Sequence, residues 1–213
     1  MTFRKVFHPK RCYGAFTLIE LMVVIGIIII MLAAAWPAVN SLARSGGRKG
    51  AISNVINALE HARAVAVSTG RPTYVVFADQ SMPENHRCKA FIVFHEDANF
   101  TPRAVTKWYV LPTGISFRPG SGLFAAQSGA PKIKFACPGT VASNPVELPF
   151  IKYDSSGMVS LPSGGLWIDI FTGSVDGSGQ QSFTDKQQQT SGKYDAVVVA
   201  RFTGRARYVD PYG

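Results

Sequence analysis

The sequence is short of charge, and shorter still of acid. Only 16% of its 213 residues are charged, and 13 Asp and Glu face 22 Lys and Arg, for a net +9. With 46% hydrophobic residues, this is not the composition of a disordered chain. Three cysteines are too few for a disulfide-stapled scaffold. The same composition excludes a collagen-like fibre and a polytopic membrane protein. The length allows one domain, or one domain with appendages. Signatures of catalysis are missing as well. There is no G-x-S-x-G, no Walker loop and no Cys–His signature. Of His8, His61, His86 and His95, His86 and His95 could supply three metal ligands together with Cys88, but no fourth partner has standard spacing. Gly120-Ser121-Gly122-Leu123-Phe124-Ala125 mimics a dinucleotide fingerprint, but it follows Pro119 and opens no evident helix, so it reads as a turn. No enzyme activity, no cofactor and no metal is expected.

What is present is uneven. Arg4, Lys5, Lys10 and Arg11 precede any acid, and from Ser41 onward 18 basic residues face 12 acidic ones, leaving a mild +6. Between them lies Phe16–Ala35, FTLIELMVVIGIIIIMLAAA, 20 residues with a single charge, Glu20. A helix of that length spans roughly 30 Å, about a bilayer core. A signal peptide shares the basic start and apolar run, but here Ala33-Ala34-Ala35 meets Trp36 and Pro37 rather than a clean cleavage site. A plain membrane anchor is the other simple reading. Neither accounts for Glu20, because an unpaired carboxylate inside a membrane helix costs about 2–3 kcal/mol.

The string GAFTLIELMVV resembles the cleavage and methylation motif of type IV prepilins and type II secretion pseudopilins. The resemblance implies that a short cytoplasmic leader is removed by a prepilin peptidase. It also implies an N-methylated new terminus, an acid fifth in the mature chain and a proline twenty-second. The residue before the cut is usually glycine, whereas Ala15 stands between Gly14 and Phe16. Cutting after Gly14 would make Glu20 sixth and Pro37 twenty-third; cutting after Ala15 makes them fifth and twenty-second. Cleavage between Ala15 and Phe16 is therefore expected, with Phe16 methylated. By the same resemblance, Glu20 meets the terminal amine of a neighbouring subunit in the filament core, where two charges costly alone become tolerable together.

Pro37 is expected to kink or interrupt the helix, and Ser45-Gly46-Gly47 with Gly50 to weaken it again. A helical stripe returns at Ile52, Val55, Ile56, Leu59, Ala62 and Ala66, and Gly70-Arg71-Pro72 stops it. The period then changes to two. Strands are expected at 73–78, 90–95, 105–111, 115–117, 132–136, 148–153, 166–171 and 196–202. Residues 173–192, rich in Gly, Ser and Gln, read as a mobile loop. LEHARAVAVSTGRPTYVVF, YDSSGMVSL and VVVARFTGRARYV resemble the GspH/FimT pseudopilins and minor pilins. The expected fold is α+β and pilin-like, with a long N-terminal helix, transmembrane in its first half, on a mainly antiparallel sheet. The expected organisation is a leader at 1–15, a transmembrane and assembly helix at 16–36, a kinked junction at 37–50, and a periplasmic domain at 51–213.

Cys12 leaves with the leader, so Cys88 and Cys137 remain either as a disulfide or as two buried thiols. Gly204-Arg205-Ala206-Arg207 matches the G-R-x-R motif through which some minor pilins of this family bind DNA. In an extended segment Arg205 and Arg207 share one face, joined by Arg201 if the strand runs unbroken. The alternative is a structural turn whose arginines pair with Asp195 or Asp210. The resemblance thus implies a non-enzymatic subunit of a type II secretion pseudopilus or type IV pilus, single-pass in the bacterial inner membrane. Its partners would be the prepilin peptidase, other pilins, membrane lipid and, in the alternative, DNA. Its size and irregularity suit a minor subunit.

Overall fold

The computed structural model describes residues 17–126, 134–135, 146–163 and 166–210, with backbone alone for 32–46. It divides into two compact units, 1–44 and 45–213. Helix α1, Leu18–Thr69, is a single element of 52 residues. Apart from Glu20, its first described side chains are apolar, and the large ones from Leu18 to Met31 are exposed. Among the described residues, no helix is long and apolar enough to cross a membrane. The expected span runs on to Trp36, past the last described side chain, Met31. The expected interruption is absent: the helix continues through Pro37, Gly46, Gly47 and Gly50. The propensity cost of isolated glycines, about 1 kcal/mol each, is small enough for packing to offset.

In the second unit α1 buries the expected stripe. Ala51, Ile52, Val55, Leu59, Ala62 and Ala66 lie in the core, with Ile56 packed at its margin. At about 1.5–3 kcal/mol per large apolar side chain, this face fastens the helix. After the helix come strands β1 (Thr73–Phe77), β2 (Ala90–Glu96), β3 (Pro102–Ala104), β4 (Tyr109–Val110) and β5 (Ile115–Phe117), then a one-turn helix α2 (Leu123–Ala126). There follow β6 (Lys134–Phe135), β7 (Val146–Glu147), β8 (Phe150–Tyr153), β9 (Val159–Leu161), β10 (Trp167–Val175), β11 (Gln181–Phe183), helix α3 (Lys186–Ser191), β12 (Asp195–Val199) and β13 (Ala206–Val209). One antiparallel sheet has the order β3-β2-β1-β8-β9, with β4 also on β2; a second has the order β11-β10-β12-β13, with β5 on β10. Among the described residues, β6 pairs with β7 alone.

Unbroken apolar runs such as TYVVF and AFIVF bury both faces of the first sheet. Val75, Phe77, Phe91 and Val93 join the α1 core, while Tyr74, Val76, Ile92 and Phe94 build a second core with Phe135 and Phe150. In the second sheet Ile168, Ile170, Val197 and Val199 point to the α1 core.

Three hairpins turn on the same device. Asp97, Asp154 and Asp176 each accept two backbone N–H bonds, from Asn99 and Thr101, from Ser156 and Met158, and from Ser178 and Gln180, all at 2.8–3.0 Å. The fourth residue of each turn is left-handed: Phe100, Gly157 and Gly179, at φ 59, 82 and 85°. This is a type I turn closed by a left-handed residue.

The structure corrects several expectations. Residues 173–192 hold the β10–β11 hairpin and α3, whose N-cap Asp185 accepts from Gln187 N–H. The strand expected over 105–111 is broken where Val105 and Thr106 N–H both reach Val93 O, at 2.8 and 3.4 Å, a bulge. The last predicted strand ends at Val199 rather than Phe202. A helical turn, α2, does open after Gly122.

Candidate functional site

Two places carry candidate function, one in each unit. The first is the start of α1. Thr17 and Glu20 form a reciprocal cap. Thr17 N–H and Oγ1 donate to Glu20 Oε2 at 3.5 and 3.4 Å, and Glu20 N–H donates to Thr17 Oγ1 at 3.3 Å. The spacing T-x-x-E is the capping-box signature, and a carboxylate in the first turn also meets the positive end of the helix dipole. The sequence held this signal in Thr17-Leu18-Ile19-Glu20, and reading the motif for processing alone passed over it. The expected cleavage residues Gly14, Ala15 and Phe16, and the side chain of Pro37, lie outside the described residues.

The second place is the β12–β13 turn. Chain reversal is made by Ala200 N–H donating to Arg205 O (2.9 Å) and Gly204 N–H to Ala200 O (2.7 Å). Gly204 has φ +65°, and a Cβ there would lie 2.0 Å from Gly157 O, 3.0 Å from Arg63 Cδ and 3.1 Å from Tyr153 Cε1. The glycine of G-R-x-R is thus a structural requirement of two hairpin turns stacked on α1. Glu60 of α1 ties down the strand that follows, Oε1 accepting Ala206 N–H at 2.9 Å.

Arg205 and Arg207 are exposed on the face of β13 opposite Ala206 and Tyr208. Neither has an ion pair among the described residues. Arg201 does not join them. The strand breaks before it, and its Nη2 donates to Pro162 O (2.9 Å) and Ser163 O (2.7 Å). The alternative partner Asp195 is taken as well. It is buried and accepts both Nε and Nη2 of Arg48, the latter at 2.8 Å, and Tyr208 Oη at 2.7 Å. This clasp holds the glycine-rich stretch of α1 to the second sheet. The carboxylate raises the Arg48 pKa. Burial, then the bond to Asp195, pushes the Tyr208 phenol up to about 12. Sequence reading missed Arg48 as a clasp residue, for its partner is distant in sequence and nothing local marks it.

Cys88 is buried and forms no disulfide among the described residues, and burial pushes its thiol up to about 12. Cys137 lies outside the described residues. His86 stacks near Trp108, with ring centroids 5.3 Å apart. Among the described residues no three His, Cys, Asp or Glu side chains gather to hold a metal.

With this geometry in hand, known proteins provide a frame. The prokaryotic N-terminal methylation motif matches residues 10–36. Among solved structures, the minor pseudopilin EpsH of the Vibrio cholerae type 2 secretion system is 13% identical. That likeness covers 78% of this chain and 98% of EpsH, at a TM-score of 0.43. The type IV minor pilin FimU of Pseudomonas aeruginosa is 11% identical, over 81% of this chain and 95% of FimU, at 0.47. Likeness this loose assigns nothing to this chain. No curated protein matches. What the comparisons show of this chain is therefore local: residues 10–36 carry the prokaryotic N-terminal methylation motif.

Proposed function

We propose that the protein is a minor, non-enzymatic subunit of a type II secretion pseudopilus or type IV pilus, processed between Ala15 and Phe16 and assembled through α1. The observation that carries this reading is the methylation motif over residues 10–36, leading into a helix with exposed apolar side chains. Such a surface requires a cover, which inner-membrane lipid supplies before assembly and neighbouring helices supply after it. Prepilin peptidase is the processing partner. Glu20 then has two roles, capping α1 and pairing with a neighbour's terminal amine. Mass spectrometry of the mature N-terminus tests the cut: Phe16, N-methylated, is expected, and an intact Met1 removes the proposal. Glu20→Gln separates the two roles, because glutamine keeps the cap and loses the charge. Loss of Glu20→Gln subunits from filaments supports the amine pair; normal incorporation leaves Glu20 a cap.

A second reading, DNA contact, is favoured by Arg205 and Arg207 standing exposed and, among the described residues, without an ion pair, while Asp195 is held by Arg48. Contacts of this kind go to phosphate and weaken with salt. Each arginine removed is expected to flatten the log–log salt slope by about one unit. Titration of duplex DNA at two salt concentrations measures it, and equal binding by the Arg205→Ala/Arg207→Ala variant refutes it.

A further inference from the structure

The outer face of the second sheet places an aromatic ring in line with those arginines. Trp167 of β10 lies opposite Val198 of β12, and Val198 opposite Arg207 of β13, one row across three strands. Residues flanking that row, Ile168, Val197 and Val199, are buried in the α1 core, so Trp167, Val198 and Arg207 face outward. Two strand spacings put Trp167 and Arg207 about 10 Å apart, and Arg205 stands two residues before Arg207, just ahead of β13. Val198 is the short side chain between them, with Ala196 in the next row on the same face.

Trp167 is 45% exposed, which is high for an indole on a sheet. It is also braced. A Cβ at Gly122, φ +51°, would lie 2.7 and 2.8 Å from the indole Cδ1 and Nε1, so the ring rests on bare glycine backbone. The acid on this face, Asp169, has a side chain 12% exposed and lies 3.8 Å from Arg118 Nη1. Arg118 itself sits over the Tyr194 ring at 4.3 Å. A fixed, half-open aromatic, two exposed guanidiniums without an ion pair among the described residues, and a compensated carboxylate suit a ligand with both flat rings and a polyanionic backbone.

We infer that this face binds single-stranded nucleic acid, with a base stacked on Trp167 and phosphates held by Arg207 and Arg205. The inference rests on the DNA reading above and adds to it the strand form and the stacking residue. A duplex keeps its bases stacked on one another and offers this tryptophan nothing to stack on. An unpaired strand presents a ring face at every nucleotide.

The test uses the full chain in non-ionic detergent, titrated with a fluorescent oligo-dT and with a duplex at low salt. Trp167→Ala is expected to weaken oligo-dT binding by about five- to a hundredfold and leave duplex binding unchanged. Trp167→Phe should retain most of it. Because Trp167 also packs on Gly122, Val198→Glu is a second variant. It sets a carboxylate between Trp167 and Arg207 without touching that packing, and should weaken oligo-dT binding too. Oligo-dT binding unaffected by both variants, or an equal loss on both probes, overturns the stacking role and leaves the phosphate reading standing. No binding of either probe by the wild type overturns both. Polyglutamate bound as tightly as oligo-dT would give the face to an acidic protein and overturn the inference.

Discussion

Gly204→Ala and Gly192→Ala form a matched pair that isolates close approach from backbone conformation. The two glycines have nearly the same φ, +65 and +64°. Around Gly192, the C-cap of α3, a Cβ meets nothing within 4 Å; at Gly204 it would lie 2.0 Å from Gly157 O. The left-handed conformation costs alanine about 1–2 kcal/mol. Restriction of the unfolded chain returns about 0.4–1 kcal/mol of that. Gly192→Ala should therefore cost about 1 kcal/mol. Gly204→Ala carries the same term and must also push two turns apart. Gly157 offers backbone rather than a flexible side chain, so overpacking of about 1–3 kcal/mol is added. The expected total is about 2–4 kcal/mol. For a chain of this size that lowers Tm by about 5–15 °C, against a few degrees for Gly192→Ala. Thermal unfolding followed by circular dichroism at two scan rates measures both. Equal, small shifts for the two variants would refute the steric argument and return the motif glycine to a role in ligand binding alone.

Two further outcomes follow from the charge pairs. Arg48→Met strips Asp195, whose side chain is 1% exposed, of its cation and should cost about 2–3 kcal/mol, the lower end for a broken buried pair because the Arg48 side chain is 30% exposed. A urea midpoint shifted at constant m shows it, Arg48→Met/Asp195→Leu should recover part of the loss, and a change under about 0.5 kcal/mol would sink the clasp. Acid should weaken the three hairpin turns together. The Asp97 carboxyl is lowered mainly by Thr101 N–H, and that of Asp176 by the Ser178 hydroxyl and Gln180 N–H. At Asp154 burial pulls upward, but bonds from Ser156, Met158 and Gly157 outweigh it. Carboxyls lowered by folding stabilise above the unfolded value, about 3.9, and that stability is lost as pH falls through the folded values. Urea midpoints should therefore fall below about pH 4, less steeply in Asp154→Asn, and an unchanged slope in that variant would contradict the assignment.

By itself the sequence determined what depends on local pattern. The 20-residue apolar run with its single acid, the stripe from Ile52 to Ala66 and the two-sided runs TYVVF and AFIVF each carry their period in consecutive residues. The turns at Asp154 and Asp176 carry a local signal of the same kind, Asp followed three residues later by Gly157 and Gly179, whereas Phe100 stands in the left-handed position after Asp97. Tertiary structure decided everything that needs distant groups to meet. Gly46, Gly47 and Gly50 read as helix breakers, but burial of Ala51 and Val55 and the bond from Arg48 to Asp195 outweigh propensities of about 1 kcal/mol. Residues 173–192 lack apolar alternation, and pairing with the end of β10 made strand β11 from Gln181-Ser182-Phe183. Arg201, Arg205 and Arg207 look equivalent along the chain. The turn at Gly204 parts them, sending Arg201 to the carbonyls of Pro162 and Ser163 and leaving the other two exposed. Register brings side chains together across strands, and no local pattern encodes which strand will lie alongside.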